Sequence, residues 1–338
     1  MDYSLGVSRR RILRMAASLA GVVTPGVLGR ARAQTAKKIE RYASELDGII
    51  STSESLQELW VGNGIAGNPA EGPVWVATGG YLLFNDMLPS RRMKYSPGVG
   101  VTVAMERTGG ANGLTLDLQG RLISAERDTR RVTRTEVDGA ITVVADQYLG
   151  KRLPPPNDVL VKSDGAIYFT TPGGGPEEAP VAVYRVSPDL KSISLVADGM
   201  IVPNGLAFSP NEDILYIVDS GPRHVRAYDV LENGLLSINT GRVFADMSGP
   251  EPGGPDGMKV DTAGNVYAGG AGGLYILDSK GRKLGRIVHG LSFTTNIAFG
   301  GDDWKSLYFT TRSTLNVVNV KIPGIPCPQG RSRCGLDT

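Results

Sequence analysis

The chain has 338 residues, 41% hydrophobic and 21% charged, with a formal net charge of +2. Its 45 Gly and 21 Pro, without any long helix-period pattern, exclude a helical bundle or coiled coil and point to many short strands joined by tight turns. With two cysteines and two histidines, a Cys-His zinc cluster is excluded for want of ligands.

Residues 1–33 read as a signal. Arg9, Arg10, Arg11 and Arg14 precede an apolar stretch from Met15 to Leu28, and Ala31-Arg32-Ala33 forms an A-x-A cleavage site before Gln34. This is the twin-arginine secretory pattern. Its apolar core of about 14 residues is short of the ~20 that span a bilayer, so no stable membrane anchor is expected. The expected partner is the twin-arginine export machinery, and the expected location is the periplasm. Cleavage removes six arginines and one aspartate, taking the formal charge from +2 to −3. The apparent basicity therefore belongs to the signal, and no nucleic-acid binding is expected.

Residues 34–55 form a lead-in whose first part, 34–50, is polar with some helical period. Leu56 to Val61 (LQELWV) reads as an isolated strand. It is expected to pair with the end of the chain near Leu315–Val320, closing a ring. From Glu71 onward one pattern occurs six times: an apolar strand, a turn rich in Gly, Asp, Ser or Thr, and a second apolar strand. The copies begin at Glu71, Asn112, Asn157, Asn204, Asp256 and Asn296, spaced by 41, 45, 47, 52 and 40 residues. A period of about 40–50 residues is that of a four-stranded propeller blade. Blades bury their faces only against neighbouring blades, so the repeats imply one domain. The predicted fold is all-β: a six-bladed β-propeller over residues 56–324, with four-stranded blades around a central metal site. The loops Gly173–Glu178 and Ser248–Pro255 are expected to border the site. A tail, 325–338, carries Cys327 and Cys334, whose pairing in an oxidising periplasm is expected.

Because the repeats are in register, their first residues should meet at one end of the ring near its axis. Glu71, Asn157, Asn204 and Asp256 would bring two carboxylates and two amide oxygens. Oxygen-only sets select hard divalent cations over thiophilic ones. A single Asn-Gly would be read as a turn dipeptide; four polar positions at the same point of their repeats are better explained as a site. Asn112 and Asn296 also open repeats and are candidates for substrate or a second ion. His224 and His289 lie away from the repeat starts and no G-x-S-x-G elbow occurs, so a Ser-His-Asp triad is not expected. The glycine run Gly269–Gly273 lacks a following helix and a Lys, which argues against a phosphate cradle.

These residues stand in specific motifs: Glu71-Gly72-Pro73-Val74-Trp75, Asn112-Gly113-Leu114, Pro156-Asn157-Asp158, Pro203-Asn204-Gly205-Leu206 and Gly254-Pro255-Asp256-Gly257-Met258. Together they resemble the SMP-30/gluconolactonase family of propeller hydrolases, regucalcin among them, over roughly Leu56 to Gly324. The resemblance implies one catalytic divalent ion held by Glu71, Asn157, Asn204 and Asp256, with Asp256 as general base. Ca²⁺ is the expected ion, with Mg²⁺, Zn²⁺ or Mn²⁺ as alternatives. It also implies a substrate-binding role for Arg152, and a small-molecule lactone substrate, D-glucono-1,5-lactone by default. The chain departs from bacterial relatives at Pro154-Pro155, where Asn-Ser is usual, at Thr171, where Asp is usual, and near Arg127, where a His is usual. Two other readings keep the fold: a phosphotriester or other ester hydrolase, and a non-catalytic metal-stabilised binding propeller.

Overall fold

Runs of β-branched and aromatic residues between Gly- and Asp-containing turns become antiparallel hairpins, and in the computed structural model these form six sheets, the blades of a six-bladed β-propeller. The structure describes residues 37–62, 69–291 and 293–326. The expected signal, 1–33, and both cysteines lie outside these residues.

The first blade comprises Ala70–Val76, Tyr81–Asp86, Arg91–Ser96 and Gly100–Glu106. The second comprises Ala111–Leu116, Leu122–Glu126, Arg131–Thr135 and Ile141–Ala145. Val159–Val161, Ile167–Thr170, Val183–Val186 and Ile193–Ala197 build the third. Pro203–Phe208, Ile214–Asp219, His224–Val230 and Leu236–Asp246 build the fourth. In each blade the first strand is innermost and fully or almost fully buried, while the outermost is the most exposed. Large aromatics fill the gaps between blades: Trp75 stacks on Tyr308 at 5.6 Å, and Tyr168 meets Phe208 edge-on at 5.1 Å.

The turn from first to second strand uses one device in the second and fifth blades. Asp117 Oδ1 accepts from the amides of Gln119 and Arg121 at 3.0 and 2.8 Å, and Asp261 Oδ1 from those of Ala263 and Asn265 at 3.0 and 2.8 Å. Gly120 and Gly264 complete these turns at φ of 79° and 86°, a region that favours glycine. These aspartates are thus turn formers, distinct from the acids that open the repeats.

The ring closes as the sequence pattern predicts. Gln57–Val61 pairs antiparallel with Thr314–Asn319, Gln57 opposite Val317 and Val61 opposite Thr314, and supplies the outer strand of the sixth blade. Its Trp60 packs edge-on against Phe84 of the first blade at 5.2 Å, tying the seam together. Deleting Gln57–Val61 is expected to destabilise the fold by about 3 kcal/mol or more, since it strips an edge and removes a large aromatic contact. An unchanged thermal unfolding midpoint would show that the ring closes without this strand.

The lead-in differs from its expected helical character. Lys38–Arg41 is a strand, paired with Lys283–Val288 as the fifth member of the fifth blade, whose other strands are Met258–Val260, Val266–Gly270 and Gly273–Leu277. A single 3₁₀ stretch, Ser44–Gly48, follows and buries Leu46 against the backbone of Gly285. Arg286 fixes the added strand from below: its guanidinium donates to Glu40 at 3.0 Å, to Glu251 at 3.2 Å and to the Ala271 carbonyl at 2.9 Å. The desolvation of Glu40 is outweighed by hydrogen bonds from Lys38, Arg286 and Tyr42, which bring its carboxyl down to about 2. Among the described residues, no helix is long and apolar enough to cross a membrane.

Candidate active site

Each repeat-start residue stands where an innermost strand reaches the axis. The pairing registers are interrupted there, between Glu71 and Val74, Ala111 and Leu114, Pro203 and Leu206, and Thr294 and Asn296. Such bulges turn a side chain out of the alternating pattern of the strand. The glycine that follows has a different purpose from the turn its dipeptide suggests. A Cβ on Gly72 would lie 1.9 Å from the Asn112 carbonyl oxygen, one on Gly113 2.6 Å from that of Asn157, and one on Gly205 2.3 Å from that of Asp256. The amides of Gly113 and Gly205 donate to those same two neighbours at 2.8 and 3.2 Å. Glycine therefore lets adjacent inner strands touch, and the touching backbones bring the preceding side chains into one well.

All six predicted repeat-start residues meet in that well. Asn112 Nδ2 donates to Asn157 Oδ1, and Asn157 Nδ2 donates to Asn204 Oδ1 at 2.5 Å. Asn204 Nδ2 reaches Ser220 Oγ at 3.1 Å, and that hydroxyl donates to the Pro255 carbonyl at 2.8 Å, just before Asp256. Asn296 Nδ2 donates to Glu71 Oε2 at 3.4 Å and to Asp158 Oδ1 at 2.7 Å. The third and sixth blades face each other across the ring, so the Asp158–Asn296 bond crosses the axis. Asp158 is the residue that reading by motif left without a role. A signal for it existed: it occupies the position that is glycine after Glu71, Asn112, Asn204 and Asp256.

Three carboxyls thus share a desolvated space. Burial pushes Glu71 well above the usual carboxylate range, and the charges of Asp256 and Asp158 push it further. Asp256 is raised well above its range by desolvation and then by Asp158, against a hydrogen bond from Asn204 and the charge of Arg312. Asp158 is raised by desolvation and held back by Lys259 and Asn296. Like charges at this density stay ionised only beside a cation. Glu71 and Asp158 are buried, and Asp256 is half-buried.

The donor set fits a hard divalent cation. Among the described residues, no group of three or more His, Cys, Asp or Glu side chains is arranged to hold a metal by itself, and a cation held here would draw on the amide oxygens as well as the carboxylates. Asn112 Oδ1 is buried with no hydrogen-bond partner, an acceptor that a bound cation would satisfy. Every atom these side chains could offer a metal is oxygen, which suits Ca²⁺ or Mg²⁺.

Arg152 is not part of this cluster. It lies exposed on a two-stranded hairpin, Gln147–Tyr148 with Lys151–Arg152, and donates to the Thr129 carbonyl at 3.3 Å. The Gly173–Glu178 loop is tied down by an ion pair between Glu178 and Arg130 and by the Gly175 amide donating to Glu178 at 2.8 Å. A cation that the motifs did not single out, Arg312, stands at the mouth, exposed, with its guanidinium 4.2 Å over the ring of Phe293 and its charge acting on Asp256.

Neither histidine enters the well. His289 is buried, with Nε2 2.9 Å from Thr294 Oγ1 and Nδ1 accepting from the Leu291 amide at 3.4 Å. Desolvation, with a minor contribution from Lys37, pulls its pKa down to about 4. The folded state then binds its proton more weakly than the unfolded chain, at about 6.5. The resulting stability is complete above about pH 6.5 and is lost as pH falls toward 4, up to about 3 kcal/mol. Urea unfolding at a series of pH values should show this slope in the wild type and a shallower one in His289→Gln.

The sequence profile of the SMP-30/gluconolactonase/LRE-like region matches residues 69–313. The gluconolactonase of Zymomonas mobilis is 30% identical over 93% of this chain and 97% of its own length. A pentonolactonase of Haloferax volcanii is 32% identical over 71% of this chain and 80% of its own. Among solved structures, a gluconolactonase from Xanthomonas campestris superposes with a TM-score of 0.76 at 30% identity, covering 85% of this chain and 96% of that one. A regucalcin from Agrobacterium tumefaciens, described as calcium-binding, shares the fold at 21% identity and a TM-score of 0.66. With the match spanning all six repeats, the chain belongs to the SMP-30/gluconolactonase/LRE-like family.

Proposed function

We propose that this protein hydrolyses sugar lactones, with Asp256 as general base. The observation that carries the reading is the well itself, where carboxyls from three blades and amides from four converge. The relatives that align over most of the chain are named for lactone hydrolysis, which supports the substrate class. Glu71, Asn157, Asn204 and Asp256 would hold a divalent cation, Ca²⁺ foremost, which when bound supplies a Lewis acid for the lactone carbonyl.

The chain's own groups do the rest. Asp256, held in the well by its neighbours, would take the proton from an attacking water as general base. Asn204 hydrogen bonds to it and, through Ser220 and the Pro255 carbonyl, is braced against the same loop. A water beside Asp256 would lose its proton to the carboxylate as it attacks the ester carbon, and the protonated carboxyl would pass that proton to the ring oxygen as the acyl C–O bond breaks. Asn112 and Asn296 line the well where the lactone would sit, and the charge of the exposed Arg312 acts on Asp256.

Export through the twin-arginine route, with a mature N-terminus near Gln34, is part of the same proposal and rests on the Arg9–Arg10 pattern and the A-x-A site. Replacing both arginines by lysine should retain the protein in the cytoplasm, and undiminished periplasmic recovery would count against it. The activity is tested with D-glucono-1,5-lactone, a pentonolactone, a simple δ-lactone, an aryl ester and a phosphotriester, each with and without a chelator. Chelator-sensitive turnover of the sugar lactones is expected. Turnover of the phosphotriester alone, or of nothing, would sink the reading.

A further inference from the structure

A buried cation stands outside the well, between the first and second blades. Arg92, on the strand Arg91–Ser96, is only 6% exposed. Burying a guanidinium is costly unless its donors are met. Its Nη2 donates to Ser124 Oγ of the second blade at 3.0 Å and its Nε to Asn85 Oδ1 at 3.4 Å, both neutral acceptors. Burial disfavours its charge and Glu126 offsets part of that, but the carboxylate is itself bonded by Thr129, Arg131 and Thr133 at 2.6, 2.7 and 2.8 Å.

The strand register leads from this cation to the well. Arg92 stands opposite Asn85, and Asn85 opposite Glu71, so the three form a row across the first blade at the level of the repeat-start residues. An Asn amide can present either end to a neighbour. Arg92 has donors only, so it takes Oδ1 and leaves Nδ2 to the next blade. That Nδ2 donates to the Asn112 carbonyl at 2.6 Å, and Asn85 is fully buried. The same carbonyl abuts Gly72, where an added Cβ would lie 1.9 Å away. The Asn112 main chain is thereby pinned in the seam between the two blades. Its side chain donates Nδ2 to Asn157 Oδ1, which leaves Asn112 Oδ1 buried and without a hydrogen-bond partner.

We infer that Asn85 and Arg92 are positioning residues for Asn112. Arg92 orients the Asn85 amide, Asn85 holds the Asn112 carbonyl, and Asn112 Oδ1 is thereby kept in the well for the ion or the lactone. The inference rests on the reading of the well as an ion-holding lactone site. Both residues act only through Asn112.

The test is a double-mutant cycle on the purified mature protein. Ca²⁺ affinity is read by titration calorimetry without substrate, and KM and kcat for D-glucono-1,5-lactone at saturating Ca²⁺. Asn85→Asp keeps the shape of the side chain and an acceptor for Arg92, but turns an oxygen toward the Asn112 carbonyl. It is expected to weaken Ca²⁺ binding or raise KM by roughly three- to tenfold, the scale of one hydrogen bond, with kcat little changed. The constant that moves shows whether ion or lactone takes Oδ1. In an Asn112→Ala background the same substitution should change neither constant, since no side chain remains to be aimed. A folded Asn85→Asp with both constants unchanged overturns the inference. So does an equal effect in both backgrounds, which a purely structural role would give. Should Asn85→Asp fail to fold, Arg92→Lys, which keeps the charge without the guanidinium fork, is put through the same cycle. Failure of both variants to fold shows that the seam serves stability alone and overturns the inference. A wild type that binds Ca²⁺ without turning over the lactone refutes the proposed activity, and Ca²⁺ affinity then decides the inference. A wild type that does neither overturns both.

Discussion

Asp256→Asn is expected to fold normally and to hydrolyse sugar lactones about 10³-fold more slowly than the wild type, the scale on which a positioned general base contributes. The substitution keeps the shape of the side chain and an oxygen toward the well, but an amide cannot take a proton from water near neutral pH. Its partners are unaltered: Asn204 still has an acceptor, and the Ser220–Pro255 contact does not involve the side chain. Glu71→Gln is the control. It removes one charge from the same cluster while sparing the proposed base, so it should raise the cation concentration needed for half-maximal activity and leave a substantial kcat when saturated. Full activity in Asp256→Asn at saturating cation would refute the assignment of the base. Equal loss in both variants, recovered in both by excess cation, would reduce Asp256 to a ligand only.

Gly205→Ala should produce a large loss of stability, about 3 kcal/mol or more, although it adds one methyl group. The added carbon would lie 2.3 Å from the Asp256 carbonyl oxygen and within 2.9 Å of the Met258 amide, both backbone atoms that cannot step aside as a flexible side chain could. Overpacking commonly costs 1–3 kcal/mol when side chains can adjust, roughly, and more when the obstacle is backbone. The fourth and fifth blades would have to part, and Asn204 and Asp256 with them. Gly173→Ala is the matched comparison, because nothing lies within 4 Å of the added atom and its φ is not in the left-handed region. Thermal unfolding should place Gly205→Ala far below Gly173→Ala. Equal midpoints would mean that the inner strands are not in the contact described.

The ring and the location of its site were legible in the residues. Six hairpins in register can bury their faces only as a ring, and registered repeats deliver their first residues to one place. For the same reason the unpaired LQELWV segment had one natural partner, the last blade. Lys38–Arg41 was not legible as a strand. As the outermost member of a five-stranded blade it buries only Ile39, so Lys-Ile-Glu-Arg shows no apolar alternation. The repeated Asn-Gly and Asp-Gly pairs looked like turns because local preference is the same for a turn and for a strand that must approach another backbone. What decides between them is the neighbouring blade, some 40 residues away in sequence at the first contact, from Gly72 to Asn112. Asp158 belongs to the same class of information. Sequence alone determined that polar residues would line the axis, because they recur with the blade period. Only the tertiary structure decided which carboxyl reaches across the ring, because distances between opposite blades depend on closure of the whole ring and leave no trace in local spacing.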